Sequence, residues 1–379
     1  MSLIVDEHRE YLRDAVRLKL LERAIAHVVR QGDVVVDLGS GTGVLGILAC
    51  RAGARRVYAL EAGGMIEVAR AMAAANGVAD RIVFIKRHST EVTLPELADV
   101  LVSDFLSGLG FESGLFPLYA DAKRLLKPDA RRIPSAIDMH IAPVEDQAFH
   151  DEINFWDGAV SGVDTRAVLP WARNTGYRRM LQPSNVLATE TVHAAFDVAA
   201  GQDMLRLRGD VAVSRHGTMH GIGGWFNATL APGVTMSNAP DAPERPSGKQ
   251  NLFLPLDTPI LVAPGDRVAL HVRIRPADLV VSWQVEARTA AGTTRFRHST
   301  LGGMLLARED VRAGDPAWTP RLTQRGEARR TVLELCDGRR PLAEIEREVL
   351  ARHPALFRSA GEAQAFVSEM LTRYARDER

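Results

Sequence analysis

The stretch "VSDFLSGLGFESGL", Val102 to Leu115, carries two carboxylates, Asp104 and Glu112, in a glycine-punctuated loop after an apolar run. Paired carboxylates in such a loop can grip a cation. They can equally belong to a charged turn, with Glu112 capping a helix. Upstream, "VVVDLGSGTGVLG" places Gly39, Gly41 and Gly43 where an apolar strand ends and a helix begins. Glycines there let a ligand approach the backbone, with helix N–H groups facing it. Asp37 precedes the first glycine at the strand tip, where a carboxylate suits an ammonium group or an ordered water better than a pyrophosphate. Glu61 ends the next strand, "VYALEA", where an acid can accept both hydroxyls of a ribose. Gly41, Gly43 and Gly46 also satisfy GxGxxG, so a nicotinamide or other nucleotide stays open.

These residues need elements to position them. Residues from about 10 to 30 read as one amphipathic helix, with Leu12, Val16, Leu20 and Ile25 near one face. From Asp33 an α/β rhythm begins. "VVVDL", "RVYALEA", "RIVFIKR" and "DVLVSDF" read as strands, and "VLGILACRAG" and "MIEVARAMAAANG" as helices between them. An all-apolar strand fits a parallel sheet covered on both faces, and the spacing is that of half a doubly wound sheet. After "LLKPDARRIPS", alternating strands such as "LRLRGDVAVS", "GWFNATL", "RVALHVRIR" and "VVSWQVEAR" read as an antiparallel barrel or sandwich. Residues from about 155 to 184 do not alternate and read as an inserted arm. "RRTVLELCDG", "PLAEIEREVLARH" and "EAQAFVSEMLTRYAR" form a terminal helical module.

The 379 residues suffice for two or three domains. Lys+Arg and Asp+Glu balance at 47 each, which argues against a general polyanion binder and so against nucleic acid as the partner. The two cysteines, Cys50 and Cys336, lie far apart, so neither a disulfide framework nor a cysteine metal site is expected. Cys336 reads as a buried small hydrophobe. His220 reads as a satisfied core histidine, and His140 and His216 as surface residues. No metal site is expected. The first residues lack the basic head and apolar core of a signal peptide, and no apolar run reaches the roughly 18 residues of a membrane helix. A cytoplasmic location without membrane attachment is expected.

"DLGSGTG" together with Glu61 resembles the motifs of class I S-adenosylmethionine-dependent methyltransferases. "HREYLRDAVR", His8 to Arg17, resembles the "HEEMLKDEVR" segment of the protein arginine methyltransferases. The likeness to that family continues through "TEVTLPELADVLVSDF", "FESGL" and "LLKPDARRIPS", then "HGIGGWFNATL" and "KQNLFLPL", covering roughly residues 7 to 305. It implies a Rossmann-like methyltransferase domain over residues 1–134, a β-barrel substrate domain over 135–312 whose arm at about 155–184 serves a head-to-tail homodimer, and S-adenosyl-L-methionine as cofactor. It implies that Arg17 binds the methionine carboxylate of that cofactor, alongside Asp37, Gly39, Gly41, Gly43 and Glu61. Ser89 and Thr90 fall at the adenine-recognition position. Asp104 and Glu112 fall at the two acids of the family's double-glutamate loop, which hold a substrate guanidinium. A guanidinium is always charged and its planar fork wants paired acceptors.

The departures concentrate on the acceptor side. Asp104 is a methylene shorter than glutamate, its loop is one residue shorter, and "RPSGKQ" replaces the family's Thr-His-Trp motif before "KQ". The tail, residues 318–379, resembles PqqD-like modules through "LELCDG" and Ile345, which implies a small winged-helix fold that docks the leader of a ribosomally made precursor peptide. The leading expectation is therefore methylation of a side-chain nitrogen, arginine by family default, on a recruited peptide. A conventional arginine methyltransferase acting on cellular proteins and a catalytically impaired peptide-binding scaffold are the alternatives.

Overall fold

The computed structural model describes residues 4–111, 114–306, 312 and 316–375. They divide into two compact units, Met1–Met304 and Leu305–Arg379.

The first unit opens with two helices, α1 (Ile4–Arg13) and α2 (Ala15–Val28), where the periodicity suggested one. The break falls at Asp14, whose carboxylate accepts the Arg17 N–H at 3.0 Å and caps α2. The α/β region follows the sequence pattern: β1 (Val34–Leu38), α3 (Val44–Arg51), β2 (Arg56–Leu60), α4 (Met65–Ala75), β3 (Ile82–Ile85), β4 (Ala98–Val102), α5 (Leu115–Ala122) and β5 (Leu126–Ile133). These strands form a sheet of order β3-β2-β1-β4-β5 with parallel pairing. β1 sits at its centre, and every one of its residues is buried, as "VVVDL" requires. The order reverses between β1 and its neighbours. Their carboxyl ends therefore open at a topological switch point, where α/β sheets place ligands. "LLKPDARRIPS", which reads as a boundary, supplies β5.

The antiparallel part begins with β6 (Ala136–Val144) and α6 (Gln147–Ile153). The arm follows: the short hairpin β7 (Ala159–Val160) and β8 (Val163–Asp164), α7 (Leu169–Arg173) and β9 (Tyr177–Arg179). Then come β10 (Val192–Asp197), β11 (Leu205–Ala212), β12 (Gly217–Ala231), β13 (Val234–Ser237), β14 (Asn251–Val262), β15 (Arg267–Arg275), β16 (Val280–Thr289) and β17 (Gly292–Ser299). They build two sheets, β10-β6-β12-β14-β9 with β13 paired to β12, and β11-β15-β16-β17. Among the described residues their hydrogen-bonding paths are separate, so two packed sheets stand where a barrel was expected. One hydrophobic core runs from Leu20 through β1 and β4 into Phe226, Leu254 and Trp283, uniting the parallel and antiparallel parts.

The second unit holds α8 (Gln324–Leu335), α9 (Leu342–Arg352) and α10 (Ala360–Tyr374) around its own core of Val332, Ile345, Val349, Phe366, Val367 and Met370. Its described residues contain no strand, so the wing of a winged helix is not among them. Cys336 is exposed rather than buried. It follows the last turn of α8, with its thiol directed back to the Val332 carbonyl. Among the described residues, no helix is long and apolar enough to cross a membrane.

One buried amide ties the loop after β4 to the antiparallel part. Asn238 donates to the Gly108 carbonyl at 2.7 Å and the Gln250 carbonyl at 3.0 Å, and accepts the Phe226 N–H at 2.8 Å. Asn238→Ala strands these buried groups and should lower stability by about 2–4 kcal/mol. In urea denaturation this appears as a lower midpoint at an unchanged slope.

Candidate active site

The strand-to-helix turn after β1 is built around Asp37. Its Oδ2 accepts from the Ser40 hydroxyl at 2.9 Å and the Gly46 N–H at 3.0 Å, while Oδ1 is buried without a partner. Burial pushes the Asp37 carboxyl up to about 6, with Ser40 and Gly46 opposing and the Glu61 charge assisting. Gly39 has φ of +70°, and a Cβ there would meet the Phe105 ring at 2.4 Å. Only glycine fits that position. Gly43, at φ +77°, starts α3 against Ala69. Glu61 closes the turn from β2, accepting the Gly41 N–H at 3.0 Å and the Gly63 N–H at 2.7 Å.

The loop after β4 brings Asp104 to the same place. Its side chain is 5% exposed and both oxygens are taken by cations. Oδ2 accepts from the Arg17 Nε of α2, and Oδ1 from the Lys249 ammonium at 2.9 Å. Burial alone would push this carboxyl up, but Lys249 and Arg17 outweigh it and hold it below the usual range. Lys249 also donates to the Leu106 carbonyl at 2.5 Å, and Arg17 to the Tyr11 carbonyl at 2.8 Å. The stretch "RPSGKQ", Arg245 to Gln250, thus enters the site in two ways. Lys249 binds Asp104, and the Gly248 N–H donates to Asp14 at 2.9 Å.

These groups surround a cavity of about 330 Å3, lined among others by Tyr11, Arg17, Gly39, Glu61, Asp104 and Lys249. The fold therefore gathers Arg17, Gly39, Gly41, Glu61 and Asp104 around one cavity, with Asp37 buried beneath the turn. Ser89 and Thr90 stand outside that lining, in a short turn after β3. The Ser89 hydroxyl is buried without a partner, and the Thr90 hydroxyl meets His88 Nδ1 at 2.7 Å. Glu112 lies outside the described residues.

Sequence reasoning missed Lys249. The only signal was its place in "KQNLFLPL", and nothing local reveals a partner 145 positions away. His220 is a satisfied core histidine, bonded to the Asp146 N–H and to Gln147. His140 is half-buried rather than on the surface, and with Asp138 and His193 brings potential metal-ligand atoms within 4.8 Å. Its ring is stacked on His193 with planes 10° apart, so no single ion lies in both ring planes.

Residues 135–287 match the arginine methyltransferase oligomerization subdomain, and residues 15–149 match the ribosomal protein L11 methyltransferase family. Protein arginine N-methyltransferase 6 of Xenopus laevis is 31% identical over 292 residues, spanning 73% of this chain and 85% of its own. The chain belongs to the protein arginine methyltransferase family. It is a methyltransferase. Histone-arginine methyltransferase CARMER of Anopheles gambiae is 30% identical over 63% of this chain, which spans only 41% of that longer relative. The fold is also that of the Trypanosoma brucei PRMT1 enzyme-prozyme heterotetrameric complex with AdoHcy, with a TM-score of 0.69 at 20% identity over 77% of this chain and 96% of that one. Arabidopsis thaliana protein arginine methyltransferase 10 gives 0.64 at 24% identity over 77% and 97%.

The raised Asp37 value carries a sign. Stability held by its neutral form is full below the ordinary carboxyl value of 3.8 and is lost as pH rises through about 6. Asp37→Asn stays neutral, so its stability should gain on the wild type between about pH 4 and 7, by roughly 3 kcal/mol at most. Urea titrations of both proteins across that range read the difference. A flat difference would contradict the burial argument.

Proposed function

We propose that the chain transfers a methyl group from S-adenosyl-L-methionine to a side-chain nitrogen of a peptide or protein, with arginine as the acceptor. The residues of the cavity fit that cofactor. The unpartnered Asp37 oxygen suits an ammonium donor or a water that bridges to it. Glu61 spends one lone pair of each oxygen on the backbone and keeps others for ribose hydroxyls. Arg17 has N–H donors beyond those used on Asp104 and Tyr11, enough for a carboxylate. Gly39 and Gly41 line the cavity, and Gly43 packs behind them against Ala69 where the turn enters α3. Ser89, with its free buried hydroxyl, and Thr90 belong to the adenine end. When bound, the cofactor supplies an electrophilic methyl group on a sulfonium centre.

The observation that carries the acceptor assignment is the buried Asp104 carboxylate on the cavity wall, already paired with two cations. A guanidinium that takes Oδ1 in place of the Lys249 ammonium adds one positive charge beside it, which a second acid must offset. Held below the usual carboxyl range, Asp104 is a poor proton acceptor. Its role is to orient the acceptor nitrogen and offset its charge, with Glu112 as the second acid. Isotopically labelled methyl donor, with the product mapped by mass spectrometry, should place label on arginine. Asp104→Asn should cut turnover by about a hundredfold or more while cofactor affinity changes far less. Label on another residue reassigns the acceptor, and undiminished turnover removes Asp104 from the site.

The terminal unit is proposed to recruit the substrate peptide, as a PqqD-like module would recruit a precursor's leader. What supports this is its separate core together with the exposed Leu333 and Leu342. A conventional arginine methyltransferase acting on folded cellular proteins is the competing reading. Deleting residues 318–379 distinguishes them. Recruitment predicts at least a tenfold rise in KM for a leader-bearing peptide with kcat preserved, because a tethered docking site acts through effective concentration. An unchanged KM favours the competing reading. The exposed Phe155, Trp156 and Trp171 of the arm, within the matched oligomerization subdomain, support a homodimer.

A further inference from the structure

The outward face of the β11-β15-β16-β17 sheet carries an excess of arginine that the site just described does not use. Strand alternation sets the pattern. Leu205, Leu207, Val272, Ile274, Trp283 and Val285 point into the core. Arg206, Arg208, Arg273 and Arg297 take the other face. Arg206 lies directly across from Arg273, and Arg208 from His271. His271 lies across from Gln284, and Gln284 from Arg297. The four arginines therefore occupy two adjoining rows of one surface.

The face has carboxylates, but they are already committed. Asp210 pairs with Arg267 at 2.5 Å and with Arg288 at 3.4 Å. Glu286 pairs with Arg288 at 2.8 Å and Arg295 at 2.9 Å. Among the described residues, the guanidinium groups of Arg206, Arg208, Arg273 and Arg297 make no ion pair or hydrogen bond. Like charges directly opposite on a sheet are destabilising. In a chain whose formal net charge is zero, such a concentration is not a consequence of bulk composition. His271 adds no further charge near neutrality, because burial and the charges of Arg273, Arg208 and Arg206 hold its imidazole below the usual range.

The same face forms a concavity of about 750 Å3, lined by Arg208, His271, Gln284, Glu286, Arg295 and Arg297 among others. We infer that this face is a docking surface for an extended acidic peptide segment of a partner protein. Side chains two apart on a strand are spaced about 6.6 Å, and adjacent strands about 4.8 Å. The arginine rows thus match the repeat of alternate carboxylates along an extended peptide. Each guanidinium offers a fork suited to a carboxylate. A nucleic acid fits less well. Phe296, the aromatic residue in the lining, is packed against the core rather than free to stack on a base.

The test uses the full chain, a fluorescein-labelled octaglutamate peptide and a charge-matched oligothymidylate, read by fluorescence anisotropy over a salt series. The expected result is saturable binding of octaglutamate that weakens with salt and falls at least tenfold in R206S/R208S/R273S/R297S. The variant should melt no lower than wild type, since it removes like-charge repulsion. R206S and R273S singly serve if the combined variant does not fold, each weakening binding at least twofold. No binding by the wild type, or binding unaffected by the substitutions, overturns the proposal. So does tighter binding of the oligothymidylate that the same substitutions abolish.

Discussion

A carboxylate removed from water must be compensated where it lies. At Asp104 that constraint organises the whole site. Its partners come from α2 and from the segment before β14, at separations of 87 and 145 positions. Removing one partner of a buried ion pair commonly costs about 3–5 kcal/mol, because the remaining charge is stranded. The chain therefore cannot move α2, the loop after β4 or the Gly248–Lys249 segment independently. Gly248 reinforces the link through Asp14, which also caps α2. One carboxylate thus holds the N-terminal helices and the antiparallel part against the open end of the parallel sheet.

The turn after β1 meets the complementary requirement of close approach. Gly39 leaves room for Phe105, and Gly41 lends its N–H to Glu61. Asp37 sits beneath them with one oxygen unpaired. A buried polar atom with no partner is unusual in a folded protein and needs an explanation. A bound donor or an ordered water supplies one. Asp37 and Glu61 brace the turn through the Ser40 hydroxyl and the Gly41, Gly46 and Gly63 N–H groups, as expected of a site assembled on strand ends rather than on free loops.

The family likeness is uneven along the chain in a way that follows from these constraints. The cofactor side keeps the family's pattern because each residue has a geometric job at the strand tips. The proposed acceptor side departs from it, with Asp104 shorter than glutamate and a stretch ending in Gly248 where the histidine motif before "KQ" stood. A shorter acid reaches less far into the cavity, and an ammonium at its Oδ1 keeps it ionised. The four-stranded sheet supplies none of the residues that line this cavity.

The amino-acid sequence by itself determined four of the five strands of the parallel sheet, several of the antiparallel strands, the three terminal helices and the residues of the glycine turn. Those follow from local periodicity, turn chemistry and motif spacing, which act over a few residues. Even there, the cap at Asp14 divided a helix that periodicity joined, and Cys336 proved exposed because it sits past the last turn of α8. Only the tertiary structure decided that Arg17 and Lys249 share one carboxylate, that Ser89 and Thr90 stand beyond the cavity lining, and that four arginines meet on one sheet face. Each depends on register or on long-range pairing. The cost of burying a charge is settled by whichever groups the fold brings within reach, and no local pattern records which those are.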